Sequence, residues 1–222
     1  KQMSGNKKDV PILYLLPTGT KGGLAGHHSD NPYSVLAHLG IKSYMPTHVN
    51  EVSPIIKYAY KEKEPIALFL PVEEFRNKYN FKVKTKYPSL NLLIKSILKD
   101  KLSIICTGTT ISKCLGALNS IKISQRKMIS FYSLSDLSFS EITKKKLIKI
   151  KSKKILIVDD SPGMYGLSAQ IELILRKSRN FTKDGIVDLS RKSNFIPFNQ
   201  PLENIIRPSE KTIKKTILKL LK

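Results

Sequence analysis

The chain has 222 residues, 41% hydrophobic and 25% charged, which is enough apolar material for a substantial core and too much for global disorder. Lys and Arg outnumber Asp and Glu by 39 to 17, a formal charge of +22, yet only six of those cations are Arg. The lysines are spread along most of the chain, so the excess reads as solvated faces, and specific nucleic-acid recognition is not expected.

No apolar run is long enough to span a membrane, and the start, KQMSGNKKDV, lacks the apolar centre of a signal peptide. It also lacks an initiator Met, which suggests a processed or truncated chain. The two cysteines, Cys106 and Cys114, belong to no CxxC or Cys/His cluster. Neither a zinc site nor a disulfide framework is expected, and a reducing compartment fits, cytoplasmic or an organellar matrix.

In chain order, short apolar runs at 11–16 (PILYLL), 66–70 (IALFL), 102–106 (LSIIC), 128–132 (MISFY) and 155–158 (ILIV) predict buried strands. Helices are predicted at 32–38, 50–61, 111–119, 141–149, 166–177 and 209–221. In the last of these, Ile213, Ile217, Leu220 and Leu221 make one apolar face, and Pro208-Ser209-Glu210 supplies a cap. Alternation of strand and helix implies an α/β fold with mostly parallel sheets. The charged, aromatic stretch 72–89 interrupts the pattern and separates a first unit, 1–71, from a second, 90–222. The first unit shows two clear strands, too few for an independent sheet, so it is predicted to need strands from elsewhere.

Three segments carry possible chemistry. Pro17 to Asp30 holds four glycines and the pair His27-His28 between a strand and a helix. A glycine-rich strand-to-helix loop suits ligand binding, and adjacent histidines can deliver a proton or bind a carboxylate; equally, they can be surface histidines on a flexible loop. Thr107-Gly108-Thr109-Thr110 can cap the helix that follows or hold an anion, with capping the commoner role. Asp159-Asp160 at a strand end can hold magnesium or act as acid and base, but the Gly163 turn beside them is ordinary loop chemistry, and the structural role is preferred.

Four segments in this order resemble the beta subunit of thiamine diphosphate-dependent 2-oxo acid dehydrogenases, the pyruvate or branched-chain decarboxylating component, within the transketolase family. They are Gly22-Gly23 through His28-Ser29-Asp30-Asn31-Pro32 with His38 and Gly40 to Pro46; Glu64 to Pro71; Ile105 to Ala117 with Lys154 to Ile174; and Phe195 to Glu203 with Pro208 and the closing helix. The resemblance implies a partial transketolase-like pyrimidine-binding domain at 1–71, a linker at 72–89 and a transketolase C-terminal-like domain at 90–222. It further implies a subunit of an enzyme that decarboxylates a 2-oxo acid and passes on the acyl group. The alternatives are a split transketolase moving a ketol unit between sugars, and a non-catalytic truncated relative acting in assembly.

By the same resemblance His28 lines the active site as the catalytic residue, binding substrate and moving a proton, with Gly22, Gly23, His27 and Ser29 near substrate or cofactor. The family's catalytic glutamate and stacking aromatic lie upstream of Pro11 in relatives and are missing here. Thiamine diphosphate and magnesium would therefore be bound through partner chains, with no metal ligand in this one. Relatives place a potassium site where Glu62 and Glu64 stand here, and it is not assigned. Asp184, ahead of the family's last strand, and Lys222 match partner-docking positions. The implied partners are an alpha-type subunit, a chain carrying the missing N-terminal half, a second copy through the C-terminal domain, and an acyltransferase component.

Overall fold

The computed structural model describes all residues except 1, 2, 4, 6, 20, 21, 80–82, 84–86, 179 and 180. Thr20 and Lys21 of the glycine-rich loop, Arg179 and part of the 72–89 connection thus lie outside the described residues.

The first sheet has three parallel strands in the order β1 (Leu13–Thr18), β3 (Ile66–Pro71), β2 (Lys42–Tyr44). The third strand, β2, was not expected: it is three residues long, begins at a lysine, and has no apolar run to announce it. The central strand β3 is buried along almost its whole length, as a doubly covered strand should be. Among the described residues the outer strand β1 pairs on one side only, and Tyr14 and Leu15 are 41% and 55% exposed. Two helical segments, α1 (Gly26–Ser29) and α2 (Tyr33–His38), follow β1, and α3 (Val52–Lys61) precedes β3.

The second sheet has five strands in the order β4 (Leu90–Ile94), β6 (Ile129–Leu134), β5 (Leu102–Thr107), β7 (Lys154–Pro162), β8 (Ile186–Arg191). All neighbours are parallel except β4, which runs antiparallel to β6 at the edge. The helices α5 (Ile111–Asn119), α7 (Glu141–Ile148), α8 (Leu167–Ser178) and α10 (Glu210–Leu221) lie where the apolar periodicity predicts them, with the single turn α6 (Ile123–Arg126) between α5 and β6. The predicted face of α10 is buried, and Ser209 caps it by accepting from the Thr212 N–H while Thr212 Oγ1 accepts from the Ser209 N–H. Ser209→Ala should cost about 1 kcal/mol, read as a lower urea midpoint with an unchanged slope.

The two sheets share one core. Tyr33, Met45, Ala67 and Phe69 pack in a single cluster with Leu90, Ile105, Leu134, Ile157 and Ile171. The other face of the first sheet packs on α3 through Tyr44, Ile55, Ala59, Ile66 and Leu68. The first sheet is therefore covered on one face by the second sheet and on the other by its own helix. The connection is docked as well. It contains α4 (Val72–Phe75), whose buried Glu74 accepts from Ser112 Oγ at the start of α5, at 2.8 Å, and from Tyr79 OH within the connection, at 2.6 Å.

Candidate functional site

The carboxyl ends of β1 and β7 meet inside the molecule. Strand β7 continues through Asp159-Asp160-Ser161 to Pro162, a segment the sequence placed in the turn after the strand. Its pairing with β8 shifts register between Val158 and Pro162, an irregularity of the kind that re-aims side chains. Here two carboxylates become buried. Asp159 accepts from Tyr33 OH at 2.6 Å, from the Asp160 and Leu167 N–H groups at 2.9 and 3.2 Å, and from the Ser161 hydroxyl. Burial first, and the Asp159 charge second, hold the Tyr33 phenol well above its ordinary range, so it donates and does not ionise. Tyr33→Phe removes one of those donors and should cost about 1–3 kcal/mol, measured by chemical denaturation.

Asp160 pairs with Arg207, just beyond the helix α9 (Gln200–Ile206). The Arg207 guanidinium also contacts Glu203 Oε1 at 2.7 Å and donates to the Ser29 carbonyl at 3.0 Å. Glu203 Oε2 in turn accepts the Gly23 N–H at 2.8 Å. A second buried arginine, Arg191 at the end of β8, reaches Asp30 at 2.8 Å. Asn31 Nδ2 donates to the Asp160 carbonyl at 3.1 Å, and Thr18 Oγ1 donates to the Asp30 carbonyl at 2.7 Å. A network of two arginines and three carboxylates thus ties the loop after β1 to the second sheet. Asp160 is engaged within it, and Asp159 sits beside it, accepting the Asp160 N–H.

The residues predicted from the sequence divide in two. Gly22, His27 and His28 are exposed, and the histidine rings stand 4.2 Å apart on the single turn α1. Gly23 and Ser29 are buried, with the Gly23 N–H and the Ser29 carbonyl engaged by the network. Gly23 has φ +69°, and a Cβ there would lie 2.5 Å from the Gln200 nitrogen, so only glycine fits. Asp184 and Lys222 are far from this loop in sequence and flank α10: Asp184 lines a groove with Lys154, Val187 and Lys219, and Lys222 lines one with Leu189 and Leu218. Thr107 and Thr110 form a reciprocal cap on the turn after β5. Glu62 and Glu64 both hold Lys42, at 2.6 and 3.2 Å; burial alone would lower that ammonium, but the two hydrogen bonds outweigh it and raise its pKa.

Arg191 and Arg207 stand in no segment that the sequence marked for chemistry, and Asp30, which closes the glycine-rich loop, was assigned no role there. One signal was present. In a chain with 39 cations and six arginines, two of the six are buried against carboxylates, where a planar fork serves and an ammonium does not.

Among the described residues no group of three or more His, Cys, Asp or Glu is placed to hold a metal ion. The buried carboxylate of the first unit, Glu51, already accepts from Thr47 N–H and Oγ1, the His48 N–H, Asn91 Nδ2 and Ser135 Oγ, leaving no position for a cofactor ring. These residues do not make a thiamine diphosphate site by themselves. Among the described residues no helix is long and apolar enough to cross a membrane.

No protein-family model and no curated protein matches the chain. Among solved structures it is similar to a split gene transketolase, described as an inactive beta4 tetramer, with a TM-score of 0.69 and 14% identity. The similarity covers 99% of this chain and 70% of that one. Two mostly parallel sheets sharing one core, matched over nearly every residue, give the chain a transketolase-like α/β fold.

Proposed function

We propose that the chain is one part of a thiamine diphosphate-dependent enzyme, a beta-type subunit or half-subunit completed by partner chains, that decarboxylates a 2-oxo acid and passes on the acyl group. The observation that carries this reading is the likeness of nearly the whole chain to a split transketolase. One feature supports the need for partners. Among the described residues the edge strand β1 leaves Tyr14 and Leu15 exposed beside backbone that pairs on one side, a surface that a further strand would cover.

When bound by the complete assembly, thiamine diphosphate supplies the carbanion chemistry. The share of this chain is the exposed turn α1. His28 holds the substrate carboxylate or moves a proton, with His27 beside it. Gly23 and Ser29 serve by fixing the ends of that turn. Asp184 and Lys222 are the positions for docking an acyltransferase component, and the second unit is where a second copy associates.

The described identity of the structural neighbour favours a second reading, transfer of a ketol unit between sugars. That neighbour is also described as inactive as a beta4 tetramer, which supports the expectation that this chain has no turnover alone. The test is to purify the native assembly, identify its chains, and assay both reactions with and without added thiamine diphosphate. Release of CO2 from a 2-oxo acid, only with partners and cofactor present, is the expected result. Ketol transfer without CO2 selects the second reading. No cofactor binding by any co-purified assembly overturns both and leaves a truncated relative acting in assembly.

A further inference from the structure

The turn that carries His27 and His28 is held chiefly from outside its own sheet. Its amino-terminal end is fixed by the Gly23 N–H on Glu203 Oε2, at 2.8 Å. Its carboxyl-terminal end is fixed by the Ser29 carbonyl on Arg207 Nη2, at 3.0 Å, and by Asp30 on Arg191, at 2.8 Å. Glu203 and Arg207 contact each other at 2.7 Å, and Arg207 is anchored on Asp160. The helix α9 that presents Glu203 is itself fixed. Asn199 caps it by accepting the Leu202 N–H at 3.0 Å, and the Ile206 carbonyl accepts the Lys192 N–H at 2.8 Å.

Between these two ends lies a backbone outlier. Ala25 has φ 62° and ψ −176°, a conformation natural to glycine and costly to a residue with a Cβ. Such a conformation persists only where surrounding contacts over-determine it. The contacts that do so here lie two residues before it and four residues after it, and both come from one Glu-Arg pair.

We propose that Glu203 and Arg207 are positioning residues. They clamp the two ends of the 23–29 turn, hold Ala25 in its strained shape, and so set where the His27-His28 pair stands. The clamp is a claim about the turn's geometry; its consequence for turnover rests on the function proposed above. Gln at position 203 can point an oxygen at the Gly23 N–H or at Arg207, but not at both, and its amide N–H₂ then faces a donor. Glu203→Gln therefore opens the clamp while keeping the side chain's shape.

The experiment uses the full chain as it purifies, with histidine ring signals read by NMR and assigned from single His→Gln variants. The chain has four histidines, so His38 and His48 serve as internal controls. In Glu203→Gln the His27 and His28 signals should move while those of His38 and His48 stay. Exchange of the Gly23 amide should quicken at least about tenfold relative to amides of β5. Ala25→Gly should leave the His27 and His28 signals in place, and added to Glu203→Gln should bring them back toward the parent positions. Where Glu203→Gln does not fold, Gly23→Ala probes the same contact without disturbing a buried ion, because its Cβ would displace the loop from Gln200. A folded variant of either kind with unmoved His27 and His28 signals overturns the proposal. Signals that move while turnover of the complete assembly does not leave the clamp standing and remove these histidines from the mechanism.

Discussion

Arg207→Met should destabilise the protein by about 3–5 kcal/mol, which for a chain of this length lowers the melting temperature by about 10 °C. The side chain has no exposed surface, and its two carboxylate partners, Asp160 and Glu203, are also buried. Removing the guanidinium leaves two buried anions without their cation and the Ser29 carbonyl without its donor. Arg207→Lys keeps a charge for Asp160 but cannot fork to Ser29 and Glu203, and should fall between the methionine variant and the parent. A melting temperature within about 2 °C of the parent, at neutral pH and for the methionine variant, would show that the network contributes little.

That network also marks where a linear sequence stops being informative. The six predicted helices and five predicted strands rest on apolar spacing, a local signal that survives in any single segment; Ile213, Ile217, Leu220 and Leu221 show it in α10. The strands without forewarning from spacing, β2, β4 and β8, are short or border charged stretches, and the register of their pairing is set by neighbours elsewhere in the chain. The glycine-rich loop was legible as a loop, and Gly23 as a residue that needs its freedom. What Gly23 needs it for was not legible, since Glu203 stands 180 positions away. The same holds for Asp160, which reads as a turn acid until Arg207 is placed against it, 47 positions on. Composition held the one remaining hint: with lysine the default cation, an arginine kept at 191 and another at 207 point to sites where fork geometry matters.

His28→Ala should lower turnover of the complete assembly by about 10²–10⁴-fold while leaving its melting temperature unchanged. The stability half follows from exposure: His28 sits on the solvent side of a four-residue turn, and surface substitutions away from caps and buried networks move stability by about 0.5 kcal/mol or less. The activity half divides by role. If His28 moves a proton in the rate-limiting step, kcat falls and KM holds; if it mainly binds the substrate carboxylate, KM rises and kcat holds. His27 offers an internal comparison, because its ring lies 4.2 Å from that of His28 and meets the same solvent. A larger loss from His27→Ala than from His28→Ala would exchange their roles. Turnover within about twofold of the parent for both variants would place the chemistry elsewhere in the assembly. The turn would then be an ordinary surface feature, clamped by Glu203 and Arg207 for the sake of the fold alone.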